Sequence, residues 1–376
     1  MADTDIPEAN HSTAAIGGSS PNTAALDQWL SELLTRGGSD LLLIANAPPS
    51  IRVNGEVKSI ETRLLDGPEI EAAVMPALTP HGLESYRNIK IADSSYANAL
   101  CRFRINLHRE RGNAAATIRA LPSKVPMLSE LHLPAPVEAL SRVQRGLVLI
   151  GGPAGSGKST TMAALVHEIN RREARHIITI EDPVEYEHAN IKSLVEQVEI
   201  GTDAPDFPTA LRASLRQAPD VIVIGEMRDP ETMRIAMVAA ETGHLVFSTI
   251  HTTDVASTVS RIGDSFPLER QNTIRQEMAM ALTAILTQAL LPTRRGGLVP
   301  ATELLMLGYG ARQHIRRNML QHLHQEITIT RKKGSLTMEE SLARLVMDGQ
   351  VDRETAFLHA GHPDDLESLL KAGNAF

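Results

Sequence analysis

Cysteine is nearly absent from this chain, because Cys101 is the single cysteine among 376 residues. One thiol cannot form a disulfide framework, and it cannot supply the four sulfur ligands of a cysteine zinc site. The sequence therefore excludes both of these ways to stabilise a fold. Its length instead favours two domains, each large enough to close a core of its own.

The chain also lacks a surplus of positive charge, with a formal net charge of -8 at pH 7. Proteins that bind nucleic acid usually carry a basic footprint that attracts phosphates. We therefore expect no nucleic-acid partner, and a local basic channel is the alternative that the net charge leaves open.

Neither a secretory signal nor a membrane span is indicated. The chain begins with acidic Asp3 and Asp5, and no basic start precedes an apolar run. The longest apolar segment, Met278–Leu291, is interrupted by threonines and by Gln288. It is shorter than the roughly 20 residues that cross a bilayer. We predict a buried helix in this segment and a cytoplasmic location for the chain.

The N-terminal third reads as a tail followed by a small mixed domain. Residues 1–23 are rich in small and polar residues, which predicts a disordered tail. An amphipathic helix then begins at Ala24, and strand-like segments follow it. Two of these segments meet across Asn54-Gly55, the strongest short signal for a β-hairpin. We assign residues 24–133 to this α+β domain.

A second domain follows a stretch that is punctuated by proline, Pro122–Pro136. We assign residues 134–145 to a linker and residues 146–376 to the second domain. Short apolar runs alternate there with helical stretches, which is typical of an α/β fold with a parallel sheet covered by helices. The runs are Leu147–Ile150, Ile177–Ile180, Val221–Ile224 and Leu245–Ile250.

The last part of the chain, from about residue 300 to residue 376, reads as helices. The clearest helix is Thr337–Met347, where Thr337 and Glu340 have the spacing of a capping box. One apolar face and the following Gly349 complete the pattern of an amphipathic helix.

A phosphate-binding loop motif follows the first apolar run of the second domain, Leu147–Ile150. Glycines allow such a loop to turn its N–H groups toward phosphate oxygens, and the N-terminus of the next helix adds to the attraction. We expect Lys158 to reach the terminal phosphates of ATP and Ser159 to bind Mg²⁺. A glycine-rich turn without a nucleotide is the weaker alternative. The motif is Gly152-Pro153-Ala154-Gly155-Ser156-Gly157-Lys158-Ser159.

Carboxylates follow two later strands. Glu181 and Glu185 come after Ile177–Ile180, and Glu226 comes after Val221–Ile224. An NTPase needs one carboxylate near Mg²⁺ and one group that positions the attacking water. Glu226 and Glu185 are our candidates for these roles. Taken alone, a carboxylate after a strand is more often a loop or cap residue, but two sets of them beside a phosphate loop favour the catalytic roles.

Histidine and arginine supply further candidates. His244 precedes the strand Leu245–Ile250 and His251 follows it, so that either could contact the γ-phosphate or serve as a structural residue. Arginines are dense around Arg104 and Arg119 in the N-terminal domain. They form either a solvated face or a group that offsets phosphoryl charge on a nucleotide held by a neighbouring domain.

Four blocks of the sequence together resemble the hexameric secretion and type IV pilus ATPases, and within them the twitching-motility retraction ATPases (PilT-like). The resemblance covers nearly the whole chain after about residue 24. The blocks are the phosphate loop Gly152–Thr160, the acidic box Ile180–Tyr186, the second acidic segment Gly225–Asp229, and the histidine box from Ala240–His244 to Ser248–Thr252.

The resemblance implies roles for individual residues. Glu185 corresponds to the catalytic glutamate, and Glu226 corresponds to the second glutamate near Mg²⁺. The box histidines His244 and His251 would lie at the nucleotide. The N-terminal domain is similar to a PAS-like domain whose arginines approach ATP at subunit junctions. Arg104 and Arg119 are our choices for that contact.

The resemblance also implies an architecture and an activity. A RecA-like ATPase domain would join a smaller PAS-like domain, with helices at the C-terminal end. Six chains would form a ring that hydrolyses ATP with Mg²⁺ and drives pilus retraction. The chain would meet the pilus platform protein at the inner membrane as a peripheral, cytoplasmic subunit.

Some positions depart from the family pattern and keep alternatives open. Ala311–Arg317 retains part of an arginine-containing segment that is typical of retraction ATPases, and Leu41-Leu42 replaces a common Leu-His. An assembly or secretion ATPase of a type II or IVB system is one alternative. A paralogue that binds ATP for regulation without turnover is the other, which intact Lys158, Glu185 and Glu226 disfavour.

Overall fold

The computed structural model describes residues 23–373. The chain divides into two compact units, with the division between Ser123 and Lys124. The predicted tail falls outside the described residues except for Thr23. Among residues 23–373, no helix is long and apolar enough to cross a bilayer.

The first unit is an α+β fold built on one antiparallel sheet. The strand order is β3-β2-β1-β6-β5-β4. Helix α1 buries Leu26, Leu30 and Leu33 in the core of this unit. The elements are α1 (Ala24–Thr35), β1 (Asp40–Ile44), β2 (Ser50–Val53), β3 (Glu56–Ser59), α2 (Gly67–Val74), α3 (Pro80–Ile89), β4 (Ala92–Ala97), β5 (Arg102–Glu110) and β6 (Asn113–Ala120).

The predicted hairpin is confirmed. Asn54 and Gly55 both adopt positive φ, 52° and 84°, and connect β2 to β3 so that Val53 pairs with Glu56. Two consecutive residues with positive φ match the right-handed twist of the flanking strands, which is why Asn-Gly is favoured at this position.

The second unit contains a seven-stranded sheet in the order β13-β12-β7-β11-β10-β8-β9. Neighbouring strands are parallel except for the antiparallel pair of β12 and β13. Its elements are β7 (Gly146–Gly151), α4 (Lys158–Arg172), β8 (His176–Glu181), β9 (Leu194–Glu199), α5 (Phe207–Ser214), β10 (Val221–Ile224), α6 (Pro230–Glu241), β11 (Leu245–Ile250), α7 (Val255–Asp264), α8 (Leu268–Ala281), β12 (Leu282–Pro292), β13 (Leu298–Met306), α9 (Tyr309–Arg316), α10 (Leu323–Ile329), α11 (Met338–Met347), α12 (Arg353–His359) and α13 (Pro363–Gly373).

The predicted parallel sheet is confirmed. The four apolar runs correspond to β7, β8, β10 and β11, which are neighbours in the centre of the sheet. Every residue of β7, β10 and β11 is buried. Helices cover both faces of such strands, so their sequences read as continuous apolar runs. The capping box is also confirmed, because Thr337 and Glu340 each accept a hydrogen bond from the other's backbone N–H at the start of α11.

The buried helix predicted for Met278–Leu291 is wrong. Helix α8 ends at Ala281, and the segment continues as the long strand β12. A strand that is buried on both faces shows no alternation of apolar and polar residues, so periodicity alone cannot distinguish it from a buried helix. The predicted helical region from about residue 300 also starts too early, since Leu298–Met306 forms β13 against β12.

The stretch predicted as a linker, residues 134–145, belongs to the second unit. It contains a 3₁₀ helix, Ala135–Arg142, whose Val137 and Leu140 are buried against the sheet and α4. The division of the chain at Ser123 therefore lies N-terminal to the boundary predicted at residue 133. These apolar side chains attach the segment to the second core.

Candidate nucleotide site

The predicted phosphate loop connects β7 to α4. Gly155 and Gly157 adopt φ of 75° and 85°, a conformation that favours glycine. Gly152 has φ of 152°, and a Cβ there would lie 2.5 Å from the carbonyl oxygen of Gln288 and would also meet Ser156. The loop therefore requires these glycines. It leads directly into the N-terminus of α4, whose N–H groups attract anions.

Lys158 is the first residue of α4, and its side chain folds back over the loop. Its Nζ donates to the carbonyl oxygens of Gly152 at 2.9 Å and of Pro153 at 2.8 Å. The residue is 7% exposed. Burial lowers the pKa of Lys158, and the nearby charges of Glu226 and Glu185 oppose that shift. The ammonium is thus placed at the loop together with both predicted catalytic carboxylates.

Glu226 and His251 meet at the edge of the sheet where the parallel strands end. Glu226 follows β10 and His251 follows β11, and these strands are parallel neighbours. His251 Nε2 lies 3.3 Å from Glu226 Oε1, and His251 Nδ1 lies 3.5 Å from Lys158 Nζ. Glu226 Oε2 also accepts from Arg228 Nε at 2.9 Å. A continuous polar chain therefore runs from Lys158 through His251 to Glu226.

In the acidic box after β8, the carboxylate of Glu181 binds the backbone of Glu185. Glu181 Oε1 accepts from the Thr179 hydroxyl at 2.8 Å, and Glu181 Oε2 accepts from the backbone N–H of Glu185 at 3.4 Å. Burial raises the pKa of Glu181, although these hydrogen bonds oppose the shift. Glu185 is half-buried and close enough to Lys158 to affect its pKa.

The first turn of α4 joins the loop to the acidic box. Ser159 lies there beside Lys158 and is partly exposed. Thr160 Oγ1 lies 3.0 Å from the hydroxyl of Tyr186, which follows Glu185 in the chain. In the part of the chain that the structure describes, Ser156 Oγ is buried in the loop without a hydrogen-bond partner. This hydroxyl and the Ser159 hydroxyl are polar groups that a phosphate or its cation would satisfy.

Gln288 is a site residue that sequence reasoning missed. Its Nε2 donates to the Ser156 carbonyl at 2.5 Å, and its Oε1 accepts from the Thr161 hydroxyl at 2.9 Å. The amide, which is 3% exposed, thus fastens the phosphate loop to α4 from β12. The signal in the sequence is an uncharged polar residue inside the apolar run Met278–Leu291, which predicts a buried helix.

Thr287, the residue before Gln288, makes a buried hydrogen bond to Glu303 of β13. Thr287 Oγ1 donates to Glu303 Oε2 at 3.2 Å, and the Val255 N–H at the start of α7 donates to the same oxygen at 2.9 Å. Burial raises the pKa of Glu303 to about 7. A carboxyl that gains a proton near neutral pH therefore lies on β13, opposite Thr287 of the strand that carries Gln288.

The structure does not bring His244 to the phosphate loop within one chain. His244 precedes β11 at the amino edge of the sheet, and its Nδ1 lies 2.9 Å from the Ala239 carbonyl oxygen. It lines a cavity of about 580 Å³ together with Arg175 and Asp220. A residue that precedes a strand and one that follows it lie at opposite ends of that strand. Nucleotide contact by His244 stays a prediction.

Arg104 and Arg119 lie opposite each other on β5 and β6 of the first unit. Arg119 Nε donates to Asp40 Oδ1 at 2.8 Å, and Arg104 Nη2 lies 3.7 Å from Asp93 Oδ1. Burial of Asp40 acts to raise its pKa, but hydrogen bonds from Arg119 and Ser39 lower that pKa overall. Both guanidinium groups are substantially exposed, and their role at a nucleotide stays a prediction.

The chain is similar to known proteins along most of its length. The model of the family described as "Type II/IV secretion system protein" matches residues 114–351. The type IV pilus retraction ATPase PilT of Pseudomonas aeruginosa is 38% identical over 88% of this chain and 96% of its own. A twitching motility protein of Neisseria gonorrhoeae is 39% identical over 86% of this chain and 87% of its own.

Solved structures are similar over the same range. A crystal structure of the pilus retraction motor PilT with bound ADP covers 90% of this chain and 98% of that one, with 39% identity and a TM-score of 0.81. The ATPase DotB of Legionella pneumophila covers 91% of this chain and 97% of its own, with 26% identity and a TM-score of 0.79. The predicted α/β RecA-like fold is confirmed, and this chain belongs to the family of type II/IV secretion system ATPases.

Proposed function

We propose that the chain is a Mg²⁺-dependent ATPase motor that powers retraction of a type IV pilus. The observation that carries this proposal is the polar chain from Lys158 through His251 to Glu226, at the edge of the sheet where the phosphate loop lies. Similarity to the retraction and twitching relatives over most of both chains supports the direction of the work.

The donor set at this edge suits a nucleotide with Mg²⁺. Mg²⁺ prefers oxygen ligands, and the Ser159 hydroxyl and the Glu226 carboxylate supply such oxygens beside the loop. The unpaired Ser156 hydroxyl and the N–H groups at the start of α4 would satisfy phosphate oxygens. When bound, Mg²⁺ would neutralise charge on the phosphates. These residues would hold the nucleotide and the ion together.

The protein's own groups account for the remaining steps. Lys158 offers its ammonium to the phosphates, and the loop carbonyls of Gly152 and Pro153 orient it meanwhile. Glu185 would accept a proton from the attacking water or orient that water. The hydrogen bond from the Glu185 N–H to Glu181 fixes the backbone of the acidic box, which helps to position Glu185.

We further propose that six chains form a ring. Arg104 and Arg119 of one subunit would then approach the nucleotide of the next and offset the developing charge. Movement of one unit against the other on ATP binding and hydrolysis would drive work on the platform protein. The chain would act from the cytoplasmic face of the inner membrane as a peripheral subunit.

Steady-state ATP hydrolysis tests the catalytic part of this proposal. The purified chain would be compared with Glu185→Gln and Glu226→Gln variants, in Mg²⁺ and in EDTA, and the assembly state would be followed in the same samples. Glu269→Gln on the exposed side of α8 is the matched control. We expect turnover that depends on Mg²⁺ and that both site substitutions abolish while ATP still binds. Binding without turnover by the assembled parent chain would instead support the regulatory alternative.

Deletion of the gene in its own host tests the direction of work. A retraction motor predicts cells that keep surface pili but lose twitching, because assembled pili can no longer be withdrawn. An assembly ATPase predicts cells without pili, and a secretion ATPase predicts normal pili with loss of an exported protein. Restoration by the parent gene but not by Lys158→Ala would connect the phenotype to ATP turnover.

A further inference from the structure

A second cluster of chemically active side chains lies where α10 meets the start of α13. It consists of His324, His362 and Asp365, each of which offers one ligand atom within 4.8 Å of the others. His324 Nε2 lies 3.4 Å from Asp365 Oδ2. The rings of His324 and His362 have centroids 3.9 Å apart and are tilted by 38°. None of these residues belongs to the nucleotide site.

We propose that these three side chains bind a divalent transition-metal ion, for which zinc is the best match. Bonds from zinc to imidazole and carboxylate are about 2.0–2.1 Å long, so two ligands of a tetrahedral ion lie about 3.3–3.4 Å apart. The separation of His324 Nε2 from Asp365 Oδ2 already has this value. Small rotations of the His362 side chain would bring the third ligand into range.

The donor set separates this site from the magnesium site. Imidazole nitrogen suits zinc, copper, iron and nickel, whereas magnesium prefers oxygen ligands and keeps much of its water. Two imidazoles with one carboxylate therefore select against the Mg²⁺ that accompanies ATP. The fourth position of the ion would be taken by water.

The surroundings of the cluster favour a cation and allow it to enter. Both histidines line a cavity of about 540 Å³ whose wall also contains the carboxylates of Asp254 and Glu339. Glu339 is 2% exposed, and its Oε1 accepts from the His362 N–H at 2.9 Å, which fixes the backbone of His362. Since His362 and Asp365 are exposed, an ion can reach them from solvent.

The ion would join two helices whose apolar side chains pack into different clusters of the hydrophobic core. Helix α10 places Leu323 and Ile327 in the large core cluster of the ATPase sheet. Helix α13 places Leu366 and Leu370 in a smaller cluster with α11 and α12. A metal bound between His324 and Asp365 would cross-link these clusters and hold the last helix in place.

Zinc binding by the full chain tests this proposal. The protein, without an affinity tag or nucleotide, would be stripped of metal and titrated with Zn²⁺ in competition with a chromophoric chelator. We expect one tight zinc per chain, and His324→Ala and His362→Ala should each weaken binding by about tenfold or more. His359 lines the same cavity, but its Nδ1 lies 2.9 Å from the Thr355 carbonyl oxygen. The control variant His359→Ala should therefore bind zinc as tightly as the parent does.

Two further measurements keep the test decisive if an alanine variant folds poorly. Zn²⁺ should raise the Tm of the parent but not of His324→Gln, which keeps a side chain of similar size. Co²⁺ should give visible absorption bands with the parent that His362→Gln lacks. The proposal is overturned if the parent binds zinc no more tightly than a His324→Gln/His362→Gln double variant, or if His251→Ala abolishes the tight site and His324→Gln does not.

Discussion

The two edges of the parallel sheet carry the two histidines of one sequence box, and these histidines have different surroundings. At the carboxyl edge, His251 lies between Lys158 and Glu226. At the amino edge, His244 Nδ1 lies 2.9 Å from the carbonyl oxygen of Ala239, in the last turn of α6. The six residues of β11 separate them, which corresponds to about 20 Å of strand. Strand direction decides which histidine can meet a nucleotide bound by the same chain.

Lys158→Ala should cause the largest loss of ATP turnover at the carboxyl edge. Because this buried ammonium is the cation that the loop itself holds, we expect ATP turnover to fall about 10³-fold or more. Steady-state hydrolysis measures the effect. Lys192→Ala, on the exposed surface of the same unit, is the control and should keep the parental rate. Retention of a tenth of the turnover by Lys158→Ala would contradict the assignment.

Gln288→Leu should loosen the loop without removing any catalytic group. The change leaves the Ser156 carbonyl and the Thr161 hydroxyl without their partner, and each unpaired buried group costs about 1–3 kcal/mol. We expect kcat/KM for ATP to fall about 10- to 100-fold, together with a lower Tm. Gln350→Leu, on an exposed turn, is the matched control. A Gln288→Leu variant with parental kinetics would mean that the amide does not position the loop.

The two histidines allow the edges to be compared directly. With unassembled chains at low concentration, His251→Ala should weaken ATP binding about tenfold, whereas His244→Ala should change it less than about twofold. Equilibrium titration with a fluorescent ATP analogue measures both variants. Equal losses in the two variants would show that the edge of the sheet does not decide nucleotide contact. An effect of His244→Ala that appears only in the assembled ring would place its role at a subunit junction.

Glu303→Gln should leave ATP binding at the carboxyl edge unchanged and alter only the pH dependence of stability. The folded chain holds a proton on Glu303 up to a pKa of about 7, above its ordinary value of 4.5, so the folded state binds more protons between these values. Stability due to this group is complete below pH 4.5 and is lost as pH rises to 7, by about 3 kcal/mol. The glutamine variant should lose this slope in denaturant titrations, and Glu269→Gln should retain it. An unchanged slope in Glu303→Gln would contradict the shifted pKa.

Much of the carboxyl edge could be predicted from the sequence, because parallel strands deliver the residues that follow them to one edge. That rule predicts Glu185, Glu226 and His251 at this edge, the phosphate-loop motif predicts Lys158, and the structure brings these side chains close together. Gln288 and β12 were missed, because a strand buried on both faces gives the same apolar run as a buried helix. Nothing in the local sequence indicates that Gln288 would meet Ser156, since their contact depends on the pairing of β7 with β12.

The metal-ligand cluster could not be predicted from the sequence, whereas the phosphate loop is one continuous motif. His324 and Asp365 are far apart in sequence, and no motif connects them. Packing of the C-terminal helices brings them together. The sequence by itself determined the phosphate loop, the central strands and the capping box of α11, because these depend on backbone conformation and on periodicity over short segments. Tertiary structure alone decided the Gln288 contact and the His324 cluster, because each depends on which strands and helices become neighbours.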